Sequence, residues 1–397
     1  MLIRANIPSS VSSISVTMSC AGQKTLSDSL HLTIDSLITC SFPIVPVGKW
    51  SLLINAMDNG GNPIYYNQRQ VLIQENTASI FDISFSISNA ALQITLDWGS
   101  RPTDWIDYPG NPIFGKSQTD SISNGVLNPK ILFQNGQYKM WFNYYQTKSN
   151  LQWIGYSTSQ DGIHWTQPQP TDLTIGSSQT WDGEVISTGP VILINNQYFM
   201  YYTGTDNSTY QVGLATSANG INWTKKTNPV IAPSASWETL GIGATDIIQM
   251  GAVYYLYYHG IDANSNTAIG LATSPDGLLW VKSNTNPILQ ASESWELSGG
   301  IYFPSVIDDN GLLKMLYASR TPDNEGFGIA TSFDGITWTK ESTSPFFSVQ
   351  SSQSAWARSI GYACWCKFGN EYNIYYSGIF RNIYSSDIYA IGLLKKK

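Results

Sequence analysis

A few ionisable side chains break the pattern of a chain that otherwise repeats itself. Glu184 stands where the sister repeats carry Ser123, Leu240, Ser298 and Ser359. Asp246 takes a position filled elsewhere by proline, and His259 one filled by Asn143, Thr203, Ala318 and Ser377. Arg320 replaces Tyr145, Thr205 and two isoleucines, and Asp323 and Glu325 follow it on the same loop. Asp120 sits in a tryptophan position, and Arg358 heads the last repeat. Two carboxylates whose surroundings push their pKa values apart can work as acid and base on a substrate held between them. Asp246 and Glu184 are the expected acid/base pair, with His259 and Arg320 binding hydroxyls or orienting the acids. Each has a structural alternative: Asp246 as a turn cap or a partner for a neighbouring repeat, Glu184 as a solvated rim acid, His259 as a satisfied core histidine, and Arg320 with Glu325 as a surface ion pair of little energetic worth.

The elements that must position these residues are repeated. Ser-x-Asp/Asn-Gly-x-x-Trp occurs at Ser159–Trp165, Ser217–Trp223, Ser274–Trp280 and Ser332–Trp338, with Trp-to-Trp spacings of 58, 57 and 58 residues. A fixed period of this length means stacked supersecondary units, and these read as β only, which predicts a propeller. The turn itself reads as structural, with Asp or Asn and Gly satisfying a tight turn and Trp packing between units. A second repeat, Trp181-Asp182, Trp237-Glu238, Trp295-Glu296 and Trp356-Ala357, also reads as structural, because chemistry needs unlike groups around one substrate. Counting nine residues on from each Trp gives Pro190, Asp246, Pro304 and Trp365.

Five pairs of inner and second strands are expected, the second strands containing Met140-Trp141, Met200-Tyr201, Leu256-Tyr257, Met315-Leu316 and Ile374-Tyr375. The last unit runs out at Ile388–Leu394 with no Trp-bearing fourth strand after it. The missing strand lies upstream, where Trp105 to Ile113 copies the spacing of Trp280 to Ile288. Residues 103–108 are therefore expected to close the last unit, making residues 98–397 a five-bladed propeller. Ahead of it, residues 1–97 alternate apolar and polar, as in Ile14, Val16, Met18 and Cys20, which predicts half-buried antiparallel strands. About seven short strands in that length suggest a β-sandwich accessory domain, similar to Ig-like or transthyretin-like modules. Cys20 and Cys40 fall on the apolar parity, as core thiols or as one disulfide. Cys364 and Cys366 point to one face, too close to bridge without strain.

Composition bounds the partners. Charged residues make up 12% of the 397, against 14 Trp and 23 Tyr, and the net charge is −7. No basic cluster precedes the terminal lysines, which argues against nucleic acid. No apolar stretch is long enough to span a membrane as a helix, and no signal-peptide core is visible at the N-terminus. Low charge with many aromatics and amides fits an extracytoplasmic protein (extracellular, cell-surface or periplasmic) that handles carbohydrate, and a monomer is expected.

The inner strands with Asn/Gly/Phe-Pro, second strands such as Phe199 to Gly204, and the Ser-x-Asp-Gly-x-x-Trp hairpins resemble the five-bladed glycosidase propellers, glycoside hydrolase families 32, 43, 62 and 68, with the family 130 phosphorylases as cousins. The resemblance covers residues 100–397. It implies a hydrolase acting on an oligo- or polysaccharide, arabinose- or xylose-containing in the nearest case, with no cofactor, although some relatives hold a structural Ca²⁺ in the axial channel. It also implies three funnel acids, two of them flanking the scissile bond roughly 6.5–9.5 Å apart for inversion. Mapped onto this sequence, the first-sheet base position is Asn128, before Pro129. The third sheet offers Asp246, one residue late and in the Pro position itself, and the fourth-sheet acid position is Tyr302, so the triad is not intact. Asn128 leaves three readings open: a subfamily with relocated acids, a propeller that binds sugar without hydrolysis, or an engineered replacement of Asp. A phosphorylase would need a phosphate cradle, for which Arg320, Arg358 and Arg381 are the candidates.

Overall fold

The computed structural model describes residues 2–4, 12–20, 25–31, 37–39, 48–73, 81–88, 91–98, 105–115, 124–146, 151–297, 299–321, 324–349, 356–369, 371–381 and 387–396. The chain divides into two compact units, Met1–Arg101 and Pro102–Lys397. In the first unit, Leu2–Arg4, Leu37–Thr39, Phe81–Ser88 and Ala91–Trp98 make one four-stranded sheet. Ser13–Ser19, Leu26–His31, Gly48–Met57 and Pro63–Ile73 make another. Val16, Trp50 and Ala56 are buried there, on the apolar side of the alternation. Cys40 lies outside the described residues.

The second unit is a propeller. Its described residues form six antiparallel sheets, two of which belong to one interrupted repeat and are counted together below as the second sheet of five. The first runs Asn124–Gln134, Gln137–Gln146, Leu151–Ser159 and Gln169–Pro170. The second is interrupted: its inner strand is Val185–Ser187 and Val191–Ile194, broken at Thr188-Gly189-Pro190. The third and fourth begin at Gly241–Met250 and Ile301–Asp309. The last contains Ser359–Phe368, Glu371–Arg381 and Asp387–Lys396, and its fourth strand is Trp105–Asp107, paired Leu394 to Asp107, Lys395 to Ile106 and Lys396 to Trp105. The upstream strand therefore closes the last sheet, as the spacing predicts. Asn111-Pro112 and Asn286-Pro287, the pair that revealed this spacing, are both cis.

The repeated turn is a hydrogen-bonded unit. In each copy the serine hydroxyl accepts the N–H of the glycine, as Ser274 does from Gly277 at 2.9 Å. The Asp or Asn oxygen takes the next two N–H groups, as Asp276 does from Leu278 and Leu279. The glycines have φ from 71° to 80°, a region L side chains avoid. Each turn glycine carbonyl accepts a bond from the neighbouring sheet: Trp141 Nε1 to Gly220, Tyr201 to Gly277, Tyr257 to Gly335 and Tyr375 to Gly162. The fifth position is Leu316, which packs in the same core cluster as Trp105. There the neighbouring fourth strand, Trp105–Asp107, comes from upstream, and the sequence ahead of it lacks the Ser-x-Asp-Gly motif.

The Trp-Asp/Glu repeat is equally structural. Trp181, Trp237 and Trp295 stack on Tyr202, Tyr258 and Tyr317. The acids are buried and paired with lysines from the fourth strands: Asp182 with Lys225, Glu238 with Lys282, and Glu296 with Lys340. Tyr202 and Tyr317 also donate to Asp182 and Glu296. A glycine on the third strand makes room for each stack: a Cβ at Gly213 would lie 2.5 Å from Tyr202 and 2.7 Å from Trp181.

Candidate functional site in the propeller centre

Each inner strand is bent by an irregularity at the same level, between Leu127 and Lys130, Ala244 and Asp246, Tyr302 and Ser305, and Gly361 and Cys364. Such bulges re-aim side chains. Asn128, Phe303 and Tyr362 open their bulges, and counting two residues back from the next level places Ala244, still paired with Tyr258, and Thr188 of the interrupted strand beside them. Lys130, Asp246, Ser305 and Cys364 share the next, facing Trp141, Tyr257, Leu316 and Tyr375. This register corrects the count of nine residues. Asp246 corresponds to Ser305 and Cys364 rather than to Pro304 and Trp365, because the lead-in from Trp to bulge differs in length between sheets.

Hydrogen bonds link the sheets at this level. Asn128 is buried with φ 56°. Its N–H donates to Ser377 Oγ of the last sheet at 2.9 Å, and its Nδ2 to Thr188 O and Ser187 Oγ of the second at 2.6 and 3.1 Å. Asn143 holds the same segment, accepting Thr188 N at 2.8 Å and the Thr188 hydroxyl. Lys130, buried, donates from Nζ to Thr245 O of the third sheet at 2.6 Å. Asp246 Oδ2 accepts Ser305 Oγ at 2.8 Å and Val306 N at 2.6 Å from the fourth, while Oδ1 accepts Ile247 N. Ser305 Oγ in turn accepts Trp365 N of the last sheet at 2.9 Å.

The charges in this centre are displaced from their ordinary behaviour. Asp246 keeps some accessible surface, yet burial of its carboxyl pushes its pKa up, against the opposing pull of Lys130 and of the hydrogen bonds from Val306, Ser305 and Ile247. Lys130 is pushed down by burial, with Cys364, Asp246 and Cys366 pulling it back. His259 is held down at about 4, first by burial and then by the Lys130 ammonium, so it is neutral at ordinary pH. Its ring stands edge-on to Phe303 at 5.0 Å, lies against Gly243, and has no protein partner at Nδ1.

The structure thus brings Asn128 and Asn143 together, and Asp246 and His259 into one electrostatic neighbourhood through Lys130. Tyr302 adjoins this group through its contact with Phe303 at 4.7 Å. Glu184 is exposed at the start of its strand, where its N–H donates to Thr205 O. Arg358 is exposed, and its N–H donates to Ile379 O. Glu325 accepts Ile360 N at 2.8 Å, anchoring the start of the last inner strand. Arg320 pairs through its backbone with Glu325; Asp120 and Asp323 lie outside the described residues. Sequence reasoning missed Lys130, Phe303 and Tyr362. The signal for Lys130 was a charge followed directly by Ile131, Leu132 and Phe133 in an inner strand. Among the described residues no group of three or more His, Cys, Asp or Glu could hold a metal ion.

Comparisons with known proteins agree with this architecture. Residues 124–240, the first two sheets and the lead-in to the third, match the Glycosyl hydrolases family 32 N-terminal domain. An uncharacterized protein of Mycobacterium tuberculosis is 29% identical over 148 residues, 35% of this chain and 48% of its own length, so the chain spans about half of that relative. An acid beta-fructofuranosidase of Vigna radiata var. radiata is 35% identical over 124 residues, 28% of this chain and 18% of its own. A 1,2-beta-oligomannan phosphorylase of a Thermoanaerobacter species is 21% identical over 251 residues, 48% and 83% respectively. Among solved structures, a thermostable family-43 glycoside hydrolase superposes with TM-score 0.56 at 18% identity, covering 71% of this chain and 91% of that one. The second unit has the fold of the propeller glycosidases.

Proposed function

We propose that this protein is a glycoside hydrolase whose five-bladed propeller binds a poly- or oligosaccharide at its centre. The observation that carries the reading is the family 32 match over the first two sheets, set in a fold shared with glycosidases. Asp246 is the acid of this site. Among the described residues at the level of the bulges it is the one carboxylate, and burial favours its protonated form, the state from which a general acid works. Asn128, in the position the resemblance gives to a base, cannot take a proton from water. Its amide instead ties two sheets together. The second acid, if Glu184, must act from the rim. Low charge and abundant aromatics support an extracytoplasmic carbohydrate substrate, with arabinose- or xylose-containing chains the first to try.

A second reading, phosphorolysis, has a specific observation behind it. A centre with one carboxylate suits a reaction in which phosphate is the nucleophile, and the oligomannan phosphorylase is the relative matched over 83% of its own length. Product chromatography with arabinan, arabinoxylan, xylan, mannan and fructan, each with and without phosphate, separates the two. Hydrolysis predicts free sugars regardless of phosphate, whereas phosphorolysis predicts sugar phosphates only in its presence. Asp246→Asn should lower turnover by about 10²–10⁴-fold. An unchanged rate would remove Asp246 from the chemistry. No product from any glycan with the folded protein would leave a sugar-binding propeller.

A further inference from the structure

Phe303 and Tyr362 occupy the same bulge position on adjacent inner strands. Their φ angles are 54° and 45°. Bulky residues avoid this left-handed region, and when they are held there the surrounding structure is enforcing it, most often at functional sites. Here both serve one arrangement: the two rings stack face to face, centroids 4.0 Å apart and 27° from parallel. His259 and Tyr302 buttress Phe303 edge-on at 5.0 and 4.7 Å. Tyr362 has no ring contact besides Phe303 among the described residues, so its second face is not taken by another ring. Both rings keep partial exposure.

The neighbouring residue supplies an independent observation. Gly361 has an ordinary φ, yet among the described residues a Cβ built on it would meet nothing within 4 Å beyond its own chain neighbours. Most of the other propeller glycines are crowded by a ring or by backbone. A side chain at the residue preceding Tyr362 therefore has room among the described residues, at the level of Leu127 and Tyr302 just before the bulge. A sugar presents a slightly positive C–H face that stacks on the electron-rich face of an aromatic ring, while its edge hydroxyls seek polar atoms.

We propose that the Phe303–Tyr362 stack is the wall against which a sugar ring binds, with the ring lying in the space beside Gly361. This places the binding subsite on the last two sheets of the propeller rather than midway between Asp246 and Glu184. It rests on the carbohydrate reading above. The bulky residues at 303 and 362 are held in their unusual backbone geometry because the wall needs both rings at one level.

Two variants test this without relying on a damaged fold. Tyr362→Gly removes the ring and suits the left-handed backbone. Gly361→Phe fills the space at a φ that any residue accepts. Binding would be measured by affinity electrophoresis and calorimetry on the arabinan, arabinoxylan, xylan, mannan and fructan panel, with melting temperature as the folding control. The expected result is a loss of at least tenfold in affinity in both variants for whichever glycan the parent protein binds, with the melting temperature of Tyr362→Gly unchanged or raised. Parent-like binding by both variants would overturn the wall and leave the carbohydrate reading standing. A parent protein that binds none of the glycans would overturn the carbohydrate reading and the wall with it. Lost binding without turnover in any variant or in the parent would uphold the wall and overturn hydrolysis.

Discussion

His259 shows how one residue's surroundings translate into a measurable pH dependence. Its folded pKa is about 4, depressed by burial and by Lys130, against about 6.5 in an unfolded chain. Between those values the unfolded chain takes up a proton and the folded one does not. Stability is therefore full above pH 6.5 and falls as pH drops through this window, by up to about 3 kcal/mol once pH is below 4. Asp246 acts in the opposite sense. Its raised pKa means that the folded protein takes the proton first, so falling pH adds stability above the ordinary carboxylate range. The two effects overlap and are separated by substitution. Urea unfolding of His259→Gln from pH 4 to 7 should show a flatter profile than the parent, and an equally steep one would assign the acid sensitivity elsewhere. That His259 was exceptional was legible in the sequence, since its counterparts are Asn, Thr, Ala and Ser. That it would be neutral was not, because the depression comes first from burial and then from Lys130, a residue 129 positions away, and only the closed propeller supplies either.

At the scale of the elements, the repeats were legible because each copy solves the same local problem. Tight turns need Asp or Asn and Gly, third strands need Gly beneath a ring, and the sequence states these needs four times. The last sheet shows the logic by exception. Ala357 stands where the other sheets have Asp182, Glu238 and Glu296, and Asp107 stands where they have Lys225, Lys282 and Lys340. The acid has moved to the fourth strand, where Asp107 accepts the Tyr376 hydroxyl at 2.7 Å and the Asn111 amide. The charge pair is lost and the tyrosine keeps its acceptor, so in this sheet the hydroxyl is satisfied without a lysine partner for the acid. In the fourth sheet Glu296 is wholly buried and takes Tyr317, Lys340 and the N–H groups of Ser292 and Glu293. Removing one member of such a network strands the others. Glu296→Ala is expected to cost about 3–5 kcal/mol in chemical denaturation, and Glu296→Ala with Lys340→Met less than Glu296→Ala alone. A double variant as unstable as the single would place the cost in the tyrosine and backbone groups instead. What the repeats could not reveal is the register at the bulges. Counting residues from Trp aligned Asp246 with Pro304, and only strand pairing shows that it matches Ser305.

For the whole molecule, the decisive feature is how the propeller is closed. Sheets one to four each draw their strands from one continuous stretch. The last borrows Trp105–Asp107 from the start of the unit, so closure joins residues nearly 290 positions apart, as in the pairing of Leu394 with Asp107. Trp105 packs on Trp365 at 5.8 Å and Phe346 at 6.3 Å, and Asn111 accepts Leu393 N and donates to Leu393 O. Without this strand Asp387–Lys396 would present an open edge, and the Tyr376 hydroxyl and the core around Leu316 would lose their cover. The closing strand belongs to the second unit, since the boundary falls at Arg101, before Trp105. Two truncations follow. Residues 102–397 should fold and melt cooperatively, with a near-UV dichroism spectrum from the packed Trp–Tyr pairs. Residues 109–397 lack only seven residues more, yet should lose that spectrum and aggregate through the exposed edge. Adding the missing strand back as a peptide covering residues 102–115 should recover part of the signal, since the strand's contacts lie within that segment. If residues 109–397 instead melt as sharply as residues 102–397, the last sheet stands on three strands, and the upstream strand is an ornament of the fold rather than its closure.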